Sequence, residues 1–308
     1  MAAHRQRQRK GDPVTGWLNL HKPYEMTSTQ AVAYIKRLFR AQKVGHGGTL
    51  DPLATGVLPI ALGEATKTMQ FILESDKKYR FTVTFGEERN TDDAEGEITQ
   101  TSTSQLTQDA LEDCLPHFLG AIEQLPPQFS AIKQEGQTAY ARARKGETVD
   151  MPPRPVTIHS FSLVDITGTP EAVSTATFDA HVSKGTYVRS LARDMGRMLG
   201  CYGYISQLVR TQAGPFKLEA AVTKETLDKF DETGQKPLEH LQGAAAGLDD
   251  IPAYVAEPAE VRQFRQGKAI QRVHLQPGLR KVVTRQGDLI SLVEVQPDGN
   301  LRIVRNFN

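Results

Sequence analysis

A glycine-rich stretch around one aspartate is the part of this sequence best suited to chemistry. Residues 45–56 read GHGGTLDPLATG, with four glycines in twelve positions and a single carboxylate, Asp51. Glycine allows positive φ and a close approach of the backbone to a ligand, and Pro52 pushes Asp51 towards extended conformations, which aims its side chain. Two interpretations stay open: an active-site loop with an aspartate nucleophile, or a glycine- and proline-rich surface turn capped by the aspartate.

The same stretch does not fit two common phosphate-binding loops. A Gly-x-Gly-x-x-Gly fingerprint would need glycine at position 50, where Leu50 stands. A Walker loop needs glycine before Lys67 and Thr68, and Thr66 is there instead. We therefore predict no nucleotide cofactor.

The composition is that of an ordinary globular protein. Of 308 residues, 39% are hydrophobic and 24% charged. The sequence has no apolar run of roughly eighteen residues that could cross a membrane, and its basic first ten residues lack the apolar core of a secretory signal. Cys114 and Cys201 are far apart and form no Cys-x-x-Cys motif, which argues against zinc and against a disulfide framework. These features favour a reducing, cytoplasmic setting with no membrane contact.

Charge is unevenly distributed, although the net charge is only +1. Residues 184–217 carry six basic side chains against one acid, Asp194, and residues 87–97 carry six acids against one base, Arg89. The pattern predicts a polarised molecule in which the basic region meets phosphates while the acidic loop faces elsewhere. Two ordinary solvated faces are the alternative.

Short elements must position these residues. Residues 16–20 and 78–85 are predicted strands, and in the second Tyr79 lies on the face that alternation makes apolar. Thr27 or Ser28 caps a predicted helix. Arginines at 189, 193 and 197 recur every four residues, which places them along one stripe of a helix that begins after a turn at 183–187. Further predicted elements are helices at 65–73, 108–118, 138–145 and 258–266, and strands at 156–165, 175–182, 289–295 and 301–304.

The domain organisation follows from the same survey. Residues 1–12 are a predicted disordered basic tail and residues 13–250 the main domain, whose last part, from about 231, is a linker. Residues 251–308 form a small β-rich module. The proline-rich excursion 124–155 has little core of its own and carries Arg142, Arg144 and Lys145, which suits either an RNA clamp or a mobile insertion.

Four separated segments form an ordered set: residues 20–23 (LHKP), the stretch 45–56, residues 76–80 (DKKYR) and residues 183–189 (SKGTYVR). Supporting matches lie at 63–67, 126–133 and 214–216. The set, spanning residues 16–220, resembles the TruB-type tRNA pseudouridine synthases, and the last part of the chain is similar to the PUA-type RNA-binding module of such enzymes. The departures are Gly47-Gly48-Thr49 after His46, Val209 before Arg210, and a short, divergent C-terminal module.

The resemblance implies an α+β fold, the pseudouridine synthase fold, with a mixed, largely antiparallel central sheet flanked by helices, plus the small PUA-like module. It also implies a reaction, the isomerisation of uridine 55 in the T loop of tRNA to pseudouridine by a monomer. That reaction oxidises nothing and loses no group, so we expect neither a cofactor nor a metal. The expected partner is the T stem-loop of tRNA.

The resemblance assigns roles to individual residues. Asp51 is the expected nucleophile, Arg189 the guanidinium that holds it ionised and oriented, and Tyr79 the stacking surface and proton-transfer group. Leu208 would form the other wall for the base, and His46 would fill the space that the flipped base leaves. The remaining expected substrate-binding residues are Lys22, Gly47, Tyr187, Arg142, Arg144 and Lys145.

Two other functions compete with this one. A non-catalytic RNA-binding protein could use the same cleft, although binding alone needs no buried carboxylate opposite RNA phosphates. An aspartate-dependent hydrolase of a small molecule would need a second catalytic carboxylate or a metal cluster, and the sequence assigns neither.

Overall fold

A mixed sheet of eleven strands runs through residues 16–242 and positions the aspartate loop. The computed structural model describes residues 11–130, 132–134, 136–139, 142, 147, 151–268, 270–272 and 274–307. The strands before the C-terminal module are β1 (Gly16–Lys22), β2 (Val44–His46), β3 (Thr55–Leu62), β4 (Lys77–Phe85), β5 (Glu87–Arg89), β6 (Ile98–Thr101), β7 (Gly120–Gln124), β8 (Lys133–Gln134), β9 (Gln137–Thr138), β10 (Arg154–Thr169), β11 (Ala172–Val182), β12 (Gly203–Ala213), β13 (Phe216–Lys217), β14 (Val222–Thr223) and β15 (Leu241–Gln242).

The strand order shows why the sheet is mixed. It is β14-β1-β3-β12-β4-β11-β10-β7, while β13 pairs with β12, β15 with β1 and β2 with β3; β5–β6 and β8–β9 are separate ribbons. The pairs β1–β14 and β3–β12 are parallel and the other pairs in this sheet are antiparallel. The expected α+β class with a mixed, largely antiparallel central sheet is therefore confirmed.

In the described part of the chain, five helices accompany this sheet: α1 (Ser28–Leu38), α2 (Met69–Glu74), α3 (Gln108–Cys114), α4 (Val188–Met198) and α5 (Lys224–Thr233). A further helix, α6 (Pro258–Arg265), belongs to the C-terminal module. Helix α1 begins at Ser28 and is capped by Thr27, one of the two predicted capping residues. The side chains of Thr27 and Gln30 form a reciprocal capping box. No helix among the described residues is long and apolar enough to span a membrane.

Two predicted helices are shorter than expected. The helix predicted at 65–73 is a 3-10 turn (Gly63–Thr68) followed by α2. The one predicted at 108–118 is α3 followed by a 3-10 turn (Leu115–Phe118), because Pro116 has no N–H to continue the α-helical ladder. Most of the helix predicted at 138–145 lies outside the described residues.

Two hydrophobic clusters meet beneath the aspartate loop. One is built around Phe81, Phe178 and Leu191, and the other around Leu20, Ile35 and Leu58. Tyr79 and Leu208 are half-buried and pack against both clusters. These two side chains therefore lie at the boundary between the two hydrophobic clusters.

Two segments that were predicted to be loose, the end of the N-terminal tail and the linker, contact the main domain. Asp12, from the predicted tail, donates its backbone N–H to Arg40 at 2.7 Å, whereas residues 1–10 lie outside the described residues. The predicted linker contributes β15 to the central sheet, and Gly247 packs so closely on Trp17 that a Cβ there would lie 2.8 Å from the indole nitrogen. The segment is therefore part of the core and is not a loose connection.

The C-terminal residues form a sheet of their own. Its strands are β16 (Ala253–Val255), β17 (Ile270–Gln271), β18 (Gly278–Val283), β19 (Leu289–Val295) and β20 (Asn300–Asn306), in the order β16-β18-β19-β20-β17. The predicted helix and the predicted hairpin of this module are both present as α6 and β19–β20. The module meets the main sheet's helices where Lys67 donates to the carbonyl of Asn306 at 2.9 Å.

Candidate active site

The aspartate loop forms one side of a cleft of about 350 Å³. The other side is the turn 183–187 that leads into α4, and Tyr79 and Leu208 line the space between them. Asp51, Tyr187 and Arg189 also face this cleft. Five of the residues predicted for the site are thus brought together by elements that lie far apart in the sequence.

Arg210 holds the aspartate loop from below. Its guanidinium is almost completely buried and donates to three carbonyls, those of Val57 (2.7 Å), Gly48 (3.0 Å) and Thr49 (3.2 Å). Gly56 lies against the Arg210 backbone, where a Cβ would meet its carbonyl oxygen at 2.3 Å, and its φ is +97°. Glycine is therefore required at position 56 for the loop to reach this anchor.

Two further contacts fix the loop near Asp51. The Ser28 hydroxyl accepts from the Leu50 N–H at 2.9 Å and donates to the Leu50 carbonyl at 3.1 Å. Lys22 donates to the carbonyls of Pro52 (3.1 Å), Pro23 and Met26. The pKa of Lys22 is lowered to about 8, mainly by burial; the charge of Asp51 opposes this shift and that of Arg210 contributes to it.

Asp51 and Arg189 face each other through two parallel contacts. The Arg189 Nε lies 2.9 Å from Asp51 Oδ2, and Nη2 donates to Oδ1 at 3.2 Å. The Arg189 side chain is 6% exposed, whereas that of Asp51 is 36% exposed and open to the cleft. A fork of this kind fixes both the charge and the plane of the carboxylate.

Arg189 is itself held from the opposite side. Nη1 donates to the Thr91 carbonyl at 2.9 Å and lies 3.8 Å from the Asp93 carboxylate. Nη2 also donates to the Phe129 carbonyl at 3.0 Å. Since acceptors surround the guanidinium, its position is set before any substrate binds.

The acidic loop therefore packs onto the arginine helix, which contradicts the predicted polarised molecule. Along α4, Arg193 pairs with Asp92 at 3.1 Å and Arg197 with Glu88 at 2.6 Å. Burial raises the pKa of Asp92 to about 6, although Arg193 and Arg189 act against that shift. The predicted stripe of arginines on α4 is present, but each arginine lies next to an acidic side chain of the same protein. Pairing of this kind offsets the cost of burying the charges of Arg189 and Arg193.

The turn before α4 is held by Gln124 of β7. Its side chain accepts from the Tyr187 N–H at 2.8 Å and donates to the Tyr187 carbonyl at 3.1 Å. The Tyr187 side chain reaches the cleft, and burial raises the pKa of its phenol. Tyr187 thus stays a neutral hydroxyl at physiological pH.

Several predicted site residues do not line this cleft. The Lys22 ammonium is fully buried among its three carbonyl acceptors, and Gly47 packs on Ile72, where a Cβ would lie 2.6 Å from a side-chain methyl. His46 ends β2, and burial together with Arg210 lowers its pKa. Arg142 pairs with Glu147 at 2.7 Å. Arg144 and Lys145 lie outside the described residues.

Two basic cleft residues, Arg210 and Lys77, were not predicted as site residues from the sequence. Lys77 lines the cleft, and its ammonium donates to the carbonyls of Ile72 and Leu73 at 2.8 Å, at the end of α2. Burial, followed by the charge of Arg210, lowers its pKa to about 8. Lys77 begins β4 and Arg210 lies within β12, both at buried positions where a basic side chain requires internal acceptors. Both strands also carry other polar residues, so this signal in the sequence is weak.

Arg210 offers a first test of how the loop is held. Arg210→Lys keeps the charge, but one ammonium cannot replace three fixed donors, so buried carbonyls lose their partners. We expect the free energy of unfolding to fall by about 2 kcal/mol in denaturant titrations. The matched control is Arg80→Lys, in an exposed pair with Asp179, where the expected change is below about 0.5 kcal/mol. Equal effects of the two substitutions would contradict the anchoring role.

Comparison with solved structures finds the same fold in complexes that contain Cbf5. The protein of a crystal structure titled a Cbf5-Nop10-Gar1 complex is 25% identical and superposes with a TM-score of 0.72, covering 95% of this chain and 85% of that one. The Cbf5 chain of an archaeal Nop10-Cbf5 complex shares the fold at a TM-score of 0.69 and 23% identity, covering 98% and 92% of the two chains.

Sequence comparisons give the family. The model of the TruB family pseudouridylate synthase N-terminal domain matches residues 36–188, and that of the tRNA pseudouridylate synthase B C-terminal domain matches residues 189–244. Proteins called tRNA pseudouridine synthase B are 49% identical in Novosphingobium aromaticivorans, over 96% of this chain and 98% of that protein, and 48% identical in Nitrobacter winogradskyi, over 96% and 83%. The chain belongs to the TruB family of pseudouridylate synthases.

Proposed function

We propose that this protein isomerises uridine 55 in the T loop of tRNA to pseudouridine, with Asp51 as the nucleophile. Its family and the names of its relatives support a tRNA pseudouridine synthase. The observation that carries the proposal is the Asp51 carboxylate, open to the cleft and held in plane by buried Arg189 at 2.9 and 3.2 Å.

The reaction needs one group that can add and later leave. The N1–C1′ bond of uridine breaks, the base turns, and a C5–C1′ bond forms while the C5 proton moves to N1, so atoms and electrons balance within the nucleoside. A carboxylate serves both as nucleophile and as leaving group. Arg189 orients the Asp51 carboxylate for attack and stabilises its charge again when it leaves. Whether Asp51 adds to C6 or C1′, or removes a proton, the same carboxylate position serves.

The walls of the cleft suit a flipped uracil. Tyr79 and Leu208 both line the cleft. In this proposal Tyr79 provides a ring face and Leu208 an apolar wall, and the Tyr79 hydroxyl takes part in removing the C5 proton. Removing the base from the stack costs a few kcal/mol, which these contacts offset. His46, kept neutral by its lowered pKa, would then occupy the space in the T loop.

The remaining parts of the chain grip the rest of the RNA in this proposal. Residues 124–155 would clamp the T stem-loop with Arg142, Arg144 and Lys145, and the C-terminal module would contact the RNA beyond it. The protein would act as a monomer in the cytoplasm, where its tRNA substrate is found.

An assay on unmodified tRNA tests the function. The purified protein, incubated with a tRNA transcript and no added cofactor, is expected to produce one pseudouridine per tRNA at position 55, and none in a transcript with cytidine there. Tritium release from C5-labelled uridine gives the rate. Binding without tritium release would indicate an RNA-binding protein, and release of free uracil would indicate a hydrolase.

Tyr79→Phe separates stacking from proton transfer. The ring remains while the phenol is lost, so tRNA affinity should stay within about twofold and the single-turnover rate should fall by on the order of 100-fold or more. Tyr24→Phe, at an exposed tyrosine, is the matched control and should change neither quantity. A Tyr79→Phe rate near that of the wild type would leave Tyr79 only its stacking role.

A further inference from the structure

A cluster of two histidines and one aspartate lies on the sheet face opposite Tyr79. Asp76 immediately precedes β4, His159 lies in β10 and His181 in β11. His181 pairs with Lys78 in the sheet register, one residue away from the Tyr79–Ala180 pair, so its side chain points away from the catalytic cleft. The proposed reaction uses none of the three.

A β-bulge brings the two imidazoles together. Ile158 pairs with Val182 and Ser160 with His181, so His159 is the extra residue on β10. A bulge sets two residues of one strand against one of its partner, which turns His159 towards His181. The ring centroids are 4.7 Å apart.

The three donor atoms have the spacing of a metal-binding set. Asp76 Oδ2 lies 3.2 Å from His159 Nε2 and 3.5 Å from His181 Nε2, and the three ligand atoms lie within 4.8 Å of one another. In a tetrahedral zinc site, ligands about 2.0–2.1 Å from the metal are roughly 3.3–3.4 Å apart. The two aspartate–histidine distances are already close to this spacing, and rotation of the partly exposed side chains would close the set around one ion.

We propose that Asp76, His159 and His181 bind one first-row transition metal ion such as Zn²⁺, with water completing the coordination. Two imidazoles and a carboxylate suit zinc and its neighbours better than magnesium or calcium. The side chains are 34–46% exposed, which leaves an open position for that water.

The surrounding charge favours a cation. The adjacent surface hollow is lined by four carboxylates against two ammonium groups, those of Lys78 and Lys217; the acids are Glu74, Asp76, Asp249 and Asp250. Glu74 also pairs with Lys184.

The position indicates a structural role. The ion would tie the β10–β11 hairpin to the start of β4, three residues before Tyr79, without touching the cleft. The sequence argument against zinc concerned cysteine spacing and does not apply to these ligands, which are far apart in the sequence and form no linear motif.

The test is a zinc titration of the full-length, untagged protein after chelation with EDTA and dialysis. We expect one equivalent of Zn²⁺ per chain by calorimetry, a rise in melting temperature, and visible absorption bands of tetrahedral Co²⁺ when cobalt replaces zinc. Asp76→Asn and the double substitution His159→Gln/His181→Gln should weaken binding by at least about tenfold and remove the cobalt bands. Turnover of the metal-free protein should be unchanged in both.

His274→Gln is the matched control, because this exposed histidine lies in the C-terminal module, far along the chain from the cluster. It should bind zinc as the wild type does. Wild-type binding by the folded double variant, or an equal loss in His274→Gln, would overturn the proposal and indicate adventitious surface binding only. The absence of a one-equivalent phase in the wild-type protein would also overturn it, and the three side chains would then be only a hydrogen-bonded cluster.

Discussion

Asp51→Asn is expected to bind tRNA with nearly wild-type affinity and to form no measurable pseudouridine. An amide is a far weaker nucleophile than a carboxylate, so the single-turnover rate should fall by at least about ten-thousandfold. The shape of the loop should persist because Arg210, Ser28 and Lys22 hold it independently of the Asp51 carboxylate. The measurement is tritium release with enzyme in excess over tRNA, beside a binding titration.

Asp179→Asn is the matched control for this substitution. Asp179 also forms a two-point contact with an arginine, Arg80, but on the exposed face of the sheet, so its loss should leave turnover unchanged. Because asparagine can deamidate, the mass of the Asp51→Asn protein is checked before and after each assay. Turnover above about one part in a thousand by intact Asp51→Asn protein would contradict the nucleophile assignment.

Local patterns in the sequence predicted the elements whose side chains alternate or repeat strongly. Strand β4 was predicted to within one residue because apolar and polar side chains alternate along it, and α1 because Thr27 is a capping residue. The stripe of arginines on α4 also followed from their spacing. These features depend on neighbours a few residues apart, which a sequence displays directly.

Such local patterns do not show which strands or charged side chains pair when they lie far apart in the sequence. The strands β2 and β3 on either side of the aspartate loop were not predicted, since three residues are too few to show a period and β3 is apolar throughout and buried on both faces. The acidic loop was misplaced for a related reason. Charge counts within a segment cannot show that Asp92 and Asp93 are buried against α4, because the partners lie about a hundred residues away.

The contact between Asp51 and Arg189 was expected from the family resemblance, and the structure brings the two side chains together. The support around them was not foreseen. Three backbone carbonyls accept hydrogen bonds from Arg210, and two others accept hydrogen bonds from Arg189. Every residue has a backbone carbonyl, so the sequence does not show which ones will act as acceptors. The catalytic roles themselves stay predictions that the substitutions here are designed to test.

Arg189→Lys should lower the single-turnover rate by on the order of 100-fold while tRNA affinity changes little. Lysine keeps the positive charge but offers one ammonium in place of the planar fork that contacts both Asp51 oxygens. The carboxylate stays ionised yet can rotate away from the sugar–base bond, and a displacement of about 1 Å is enough for a loss of that size.

The matched control is Arg193→Lys, one helical turn further along α4. Arg193 is as deeply buried and pairs with Asp92, but its contacts are with Asp92, Asp194 and the Leu125 carbonyl and not with Asp51. Both substitutions should therefore destabilise the fold, while only Arg189→Lys should slow the reaction by much more than tenfold. Comparable rates for the two lysine variants would show that Arg189 matters through the packing of α4 alone.

Arg189→Met separates charge from geometry. Without any cation at position 189, the Asp51 carboxylate loses its charged partner and its fixed orientation. The single-turnover rate should then fall below that of Arg189→Lys. The measurement is the single-turnover rate of both variants under the same conditions. Equal rates for Arg189→Met and Arg189→Lys would show that orientation is the whole contribution of this arginine.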